Sequence, residues 1–129
     1  MICDINGNPV QFLLRPGSEN DMKAFKRMDL NLPVNSSIYG DKAYIDYEYE
    51  DRLIQEKQVH LLPIRKKNST RRGSGFLARF RAQKRKMIET AFSCIDKLMP
   101  RSIHAVTKRG FELKTILFVV AYALSRVSF

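Results

Sequence analysis

Two carboxylates in this sequence, Asp41 and Glu89, stand where they could hold a metal ion. Metal-dependent phosphoryl transfer gathers acidic side chains from separate elements around two hard cations about 4 Å apart. One ion activates the attacking oxygen and the other stabilises the leaving one. Asp41 follows Ser37-Ile38-Tyr39-Gly40, which reads as a short strand, so it falls at a C-terminal strand end, where α/β sheets bind ligands. Gly40 lets the chain turn there, and Lys42 adds a positive charge. Glu89 lies at the border of an apolar helical face, with Arg85 one turn before it and Asp96 two turns after. The residues alone leave both open. Gly40-Asp41 reads equally as a plain turn, and the simplest reading of Glu89 is an i,i+4 ion pair with Arg85.

The charge has a location. Of 23 Lys and Arg residues, ten lie between positions 65 and 86: Arg65, Lys66, Lys67, Arg71, Arg72, Arg79, Arg81, Lys84, Arg85 and Lys86. That stretch contains no Asp or Glu, and the rest of the chain is neutral, so the whole net charge of +10 sits in one segment. Concentrated positive charge is what a phosphate backbone attracts. All ten are candidate DNA contacts, against the plainer alternative of a solvated loop and helix face.

The elements that must carry these residues are legible in outline. Residues 1–5 and 10–14 are apolar runs around Asn6-Gly7-Asn8-Pro9, the turn chemistry of a β-hairpin. Ser18 or Asn20 can cap a helix over 21–29, and Asp46 opens a second helix running to Lys57. A strand over 59–64 precedes a loop over 68–75. Apolar residues at spacings of three and four then predict a helix over 76–99, with Phe80, Met87, Ile88, Ala91, Phe92, Ile95, Leu98 and Met99 on one side. Residues 103–107 read as extended, and 111–127 as a last, mostly apolar helix. This order predicts one α/β layered domain over residues 1–129.

Several classes of function are excluded or disfavoured. The run 116–124 is about half of a bilayer span, so a buried helix is expected and no membrane. Cys3 and Cys94 form no CxxC and no secretory leader is present, which gives a reduced, cytoplasmic protein as the default. Arg72-Gly73-Ser74-Gly75 lacks the Lys-Ser/Thr of a P-loop. Asp46, Glu48, Glu50 and Asp51 read as a solvated helix start.

Beyond these physical readings, Tyr39-Gly40-Asp41-Lys42-Ala43-Tyr44 resembles the (G/A)DKGY segment of DDE transposases from bacterial insertion sequences. Arg85–Phe92, RKMIETAF, is similar to their R-x-x-x-E-x-x-F stretch, and the downstream IHAVTKRGFELK and AYAL segments look like the family's C-terminal end. The resemblance implies a ribonuclease-H-like mixed sheet flanked by helices. It also implies Mg²⁺- or Mn²⁺-dependent cleavage and strand transfer of DNA, with Asp41 and Glu89 as metal ligands. DNA, as transposon ends and target, would be the partner, together with a homo-oligomer or an intact transposase. The family's first Asp lies on a strand before the hairpin, and here the chain starts inside the hairpin. Asp4 matches the hairpin turn and Asp21 a helix start, so neither replaces it. Ala82, Ala43 and Asp96 also depart from the family pattern. The expectation is therefore a partial catalytic domain lacking the first strand and inactive alone. The alternatives are a non-catalytic DNA-binding remnant that occupies transposon ends or modulates an intact transposase, or a structural nucleic-acid-associated protein.

Overall fold

The computed structural model describes residues 1–71 and 75–127. In chain order its elements are β1 (Ile2–Cys3), β2 (Pro9–Gln11), α1 (Asp21–Arg27), β3 (Ser37–Gly40), a 3-10 turn (Lys42–Tyr44), α2 (Tyr47–Lys57), β4 (His60–Pro63), α3 (Gly75–Leu98) and α4 (Lys108–Ser125). The expected order of strands and helices is therefore present, with β1, β2 and β4 shorter than expected. Residues 103–107 form no strand. The chain divides into two compact units, one formed by residues 1–14 and those from Lys86 onward, the other by Arg15–Arg85. The boundary falls within α3.

In the first unit, β1 and β2 pair antiparallel around the turn that the sequence predicts. Asp4 organises it. Its carboxylate accepts from the Asn6 and Asn8 backbone N–H groups at 2.8 and 2.9 Å and from Asn8 Nδ2 at 2.9 Å. Burial raises the Asp4 pKa, but hydrogen bonds from Asn8, Asn6 and Gly7 outweigh it and hold the group below the ordinary carboxylate value. Gly7 has φ +84°, and a Cβ there would stand 3.1 Å from Met87 Cγ. The turn thus needs glycine both for its backbone and for the approach of α3. From the other side, Arg126 donates to the Asn6 carbonyl at 2.8 Å and to Asn8 Oδ1 at 3.3 Å.

Ala91 and Ile95, one turn apart on α3, pack with Val119 and Tyr122 of α4 as the core of this unit. The predicted apolar side of α3 is only partly used: Phe92 and Leu98 are about half exposed. The expected buried run in α4 is likewise buried on one face only, because a two-helix packing covers one stripe of each partner. Leu113, Leu117 and Leu124 stay exposed. No helix among the described residues is long and apolar enough to cross a membrane.

In the second unit, β3 and β4 pair in parallel, Ser37 opposite His60 through Gly40 opposite Pro63. The strands form these two separate pairs, where the sequence reading expected one mixed sheet. Val59, Leu61, Leu53, Phe25 and Met22 fill the interior. Phe25 meets Tyr44 and Tyr49 edge-on at 5.6 and 5.8 Å. Asn20 is the residue that caps α1, accepting from Met22 and Lys23 N–H. Asp46 caps α2 by accepting from Tyr49 N–H at 3.0 Å, and Lys26 also binds its carboxylate. Lys26 first, then the Tyr49 N–H, hold the Asp46 pKa below its ordinary value.

Two outcomes follow from this packing. Gly7→Ala should destabilise the chain by about 1 kcal/mol or more, because a left-handed backbone and a crowded Cβ are both penalised; urea unfolding measures it. A depressed carboxylate pKa contributes stability that is present above the unfolded value and lost as pH falls through the folded one. The midpoint should therefore drop as pH falls below about 4, and Asp46→Asn, which keeps a cap but loses the ion pair, should flatten that dependence.

Candidate nucleic-acid and metal site

Asp41 leaves β3 at the end of the parallel pair, as the sequence reading expected, and caps the following 3-10 turn. Its Oδ1 accepts from Ala43 N–H at 2.8 Å, an ordinary Asx arrangement. Gly40 leaves room here: a Cβ would stand 3.1 Å from the Tyr44 ring, which folds back over the strand end and would have to shift slightly. Tyr44 reports the local field. Burial raises its pKa most, followed by the charges of Asp21 and Asp41. The turn and the ligand readings of Asp41 are therefore compatible, since capping occupies one carboxylate oxygen.

Glu89 is exposed on α3. It belongs to the first unit and Asp41 to the second. Among the described residues, no group of three His, Cys, Asp or Glu could hold a metal ion. The two carboxylates have the hard-oxygen chemistry that suits Mg²⁺, but the described residues do not complete a donor set. Asp4 is spent on the hairpin turn, and Asp21 is ion-paired with Arg15 at the start of α1.

The basic stretch is not uniform. Glu50 of α2 is buried, and both its oxygens accept from Arg65, at 2.7 and 2.6 Å. Arg71 reaches the same carboxylate at 3.4 Å and makes a second two-pronged bond to Asp51 at 2.9 Å. Both guanidiniums lie against the Tyr47 ring, at 5.3 and 4.7 Å, and the Tyr47 hydroxyl meets Ser69 Oγ at 2.6 Å. These bonds hold both arginines above the ordinary guanidinium pKa. Arg65 and Arg71 therefore fasten the segment after β4 onto α2. Lys66, Lys67 and Arg79 are exposed, as are Arg85 and Lys86 further along α3. Lys84 is half-buried above the Phe80 ring at 5.3 Å. Arg81 is buried. Arg72 lies outside the described residues.

Glu50 corrects the sequence reading of a solvated acidic helix start. Asp46 caps the helix, Asp51 pairs with Arg71, and Glu50 is interior. The available signal was its position three residues before Leu53, on the side of α2 that also carries Tyr49.

A family model described as transposase DDE domain matches residues 1–124. The chain belongs to that family. No curated protein and no solved structure matches it significantly. Within the DDE transposase family, the Tyr39–Tyr44 and Arg85–Phe92 segments fall inside the matched region.

Glu50→Gln should cost about 3–5 kcal/mol, since it leaves the Arg65 charge buried without its partner. Asp51→Asn, at an exposed pair, should cost far less. Chemical denaturation of the two variants beside the parent makes the comparison, and equal effects would contradict the assignment of Glu50 as the interior anchor.

Proposed function

We propose that this chain handles DNA for transposition and bears two carboxylates, Asp41 and Glu89, of a three-carboxylate phosphoryl-transfer centre. The family match over residues 1–124 carries the reading. Support comes from Asp41 at the end of a parallel strand with one oxygen already used in the turn, leaving Oδ2 to face a cation. Mg²⁺ or Mn²⁺, held by Asp41 and Glu89 with a third carboxylate, would supply the Lewis acidity for cutting and rejoining DNA ends. The chain's own cations do the rest: Lys66, Lys67 and Arg79, with the exposed residues further along α3, draw the phosphate backbone and read little sequence.

On this reading the chain binds DNA but does not cleave it alone, and its partner is a further copy or an intact transposase. The same residues support the simpler role of a DNA-binding remnant that occupies transposon ends. The exposed lysines after β4 favour it, because they act without a metal.

Incubation of the purified full chain with end-containing duplex DNA and Mg²⁺ or Mn²⁺ tests the proposal. The expected result is DNA retention that does not need the metal, no nicking, and binding unchanged by Asp41→Asn or Glu89→Gln. Metal-dependent cleavage abolished by Glu89→Gln would show that the chain is a complete enzyme. Absence of any DNA binding would remove both readings.

A further inference from the structure

Arg81 stands apart from the other cations of the basic stretch. It is 7% exposed, and its Nε is buried without a hydrogen-bond partner. No hydrogen bond or ion pair joins its guanidinium to any described residue. The neighbouring arginine, Arg65, is fully occupied by Glu50. Nothing in α3 before Glu89 is acidic, so the helix itself supplies no carboxylate to Arg81. Burial, and after it the charge of Arg65, lower the affinity of Arg81 for its proton, while Tyr39 acts in the opposite direction.

The position of this side chain matters. The adjacent residue, Phe80, meets Tyr39 of β3 edge-on at 5.1 Å, so this turn of α3 packs against the strand that leads into Asp41. A guanidinium cannot discharge by losing its proton at ordinary pH. With its Nε buried and unpaired, an anion that completes it is favourable. Its planar fork matches the paired oxygens of a phosphate.

We propose that Arg81 is the seat of a phosphate-binding site in the second unit, beside the end of β3, where it receives a nucleic-acid backbone phosphate or a free phosphate. This deepens the DNA-handling reading. It assigns one buried cation as a specific phosphate contact, distinct from the exposed residues that act through general attraction.

The test uses the full chain, its Arg81→Met variant, which keeps the apolar stem and removes the charge, and Arg81→Lys as a second variant. Inorganic phosphate is titrated calorimetrically at fixed ionic strength against chloride, and a short duplex is titrated by fluorescence anisotropy. The parent should bind phosphate, and Arg81→Met should weaken it about tenfold or more, as loss of a charged hydrogen bond implies. In chloride Arg81→Met should melt at or above the parent's temperature, and phosphate should reverse that order. A parallel loss of duplex affinity identifies the backbone phosphate as the source; unchanged duplex affinity identifies free phosphate. Phosphate binding by the parent with no duplex binding defeats the DNA reading and leaves the site standing. The site is overturned by a parent that binds no phosphate, by phosphate binding that survives Arg81→Met, or by both variants melting lower than the parent in chloride.

Discussion

The second unit depends on one buried ion pair. Glu50 is an acid on the interior side of α2, and such a group is tolerated only if its charge is met with good geometry. Arg65 meets it with two parallel bonds at the point where the chain leaves β4. That contact fixes where the segment after β4 starts, and Arg71 then closes onto Asp51 and the Tyr47 ring. A stretch with no acid of its own is in this way folded against acids from elsewhere. Without Glu50, Arg65 and Arg71 would repel one another across Tyr47.

This constraint sorts the positive charge into three kinds. Arg65 and Arg71 serve the fold. Lys66 and Lys67, between them in sequence, point to solvent because the arginines on either side are held. Arg81 is neither, being buried but unmatched within the described residues. Net charge alone does not distinguish these roles, since each contributes one unit. For a family that handles DNA, the distinction separates cations that stabilise the protein from those that can contact phosphate.

Much of the local structure was legible because it is encoded locally. Asn6-Gly7-Asn8-Pro9 specifies its turn, Asn20 and Asp46 their caps, and the three-four spacing of α3 its helix. The short strand before Asp41 was legible with its bounds, because Ser37–Gly40 is flanked by turn residues. What failed depends on partners distant in sequence. Strand pairing into two separate pairs, the half exposure of Phe92, and the open face of α4 are decided by which neighbours come to cover them. Glu50 was misread because three other acids surround it in sequence, and composition outweighed its helical phase. The family resemblance around Asp41 and Glu89 was legible from motif order, and the match over residues 1–124 bears it out.

The central claim is that the basic stretch divides between fold and nucleic acid. The most direct measurement is the salt dependence of duplex affinity for the parent, for Lys66→Gln, and for the charge-neutral double variant Arg71→Gln/Asp51→Asn. The slope of log affinity against log salt counts phosphates neutralised. Lys66→Gln should reduce its magnitude by about 1, and the double variant should leave it unchanged. An equal reduction by both would mean that Arg71 contacts DNA as the lysines do, and that its pairing with Asp51 is not the role assigned to it.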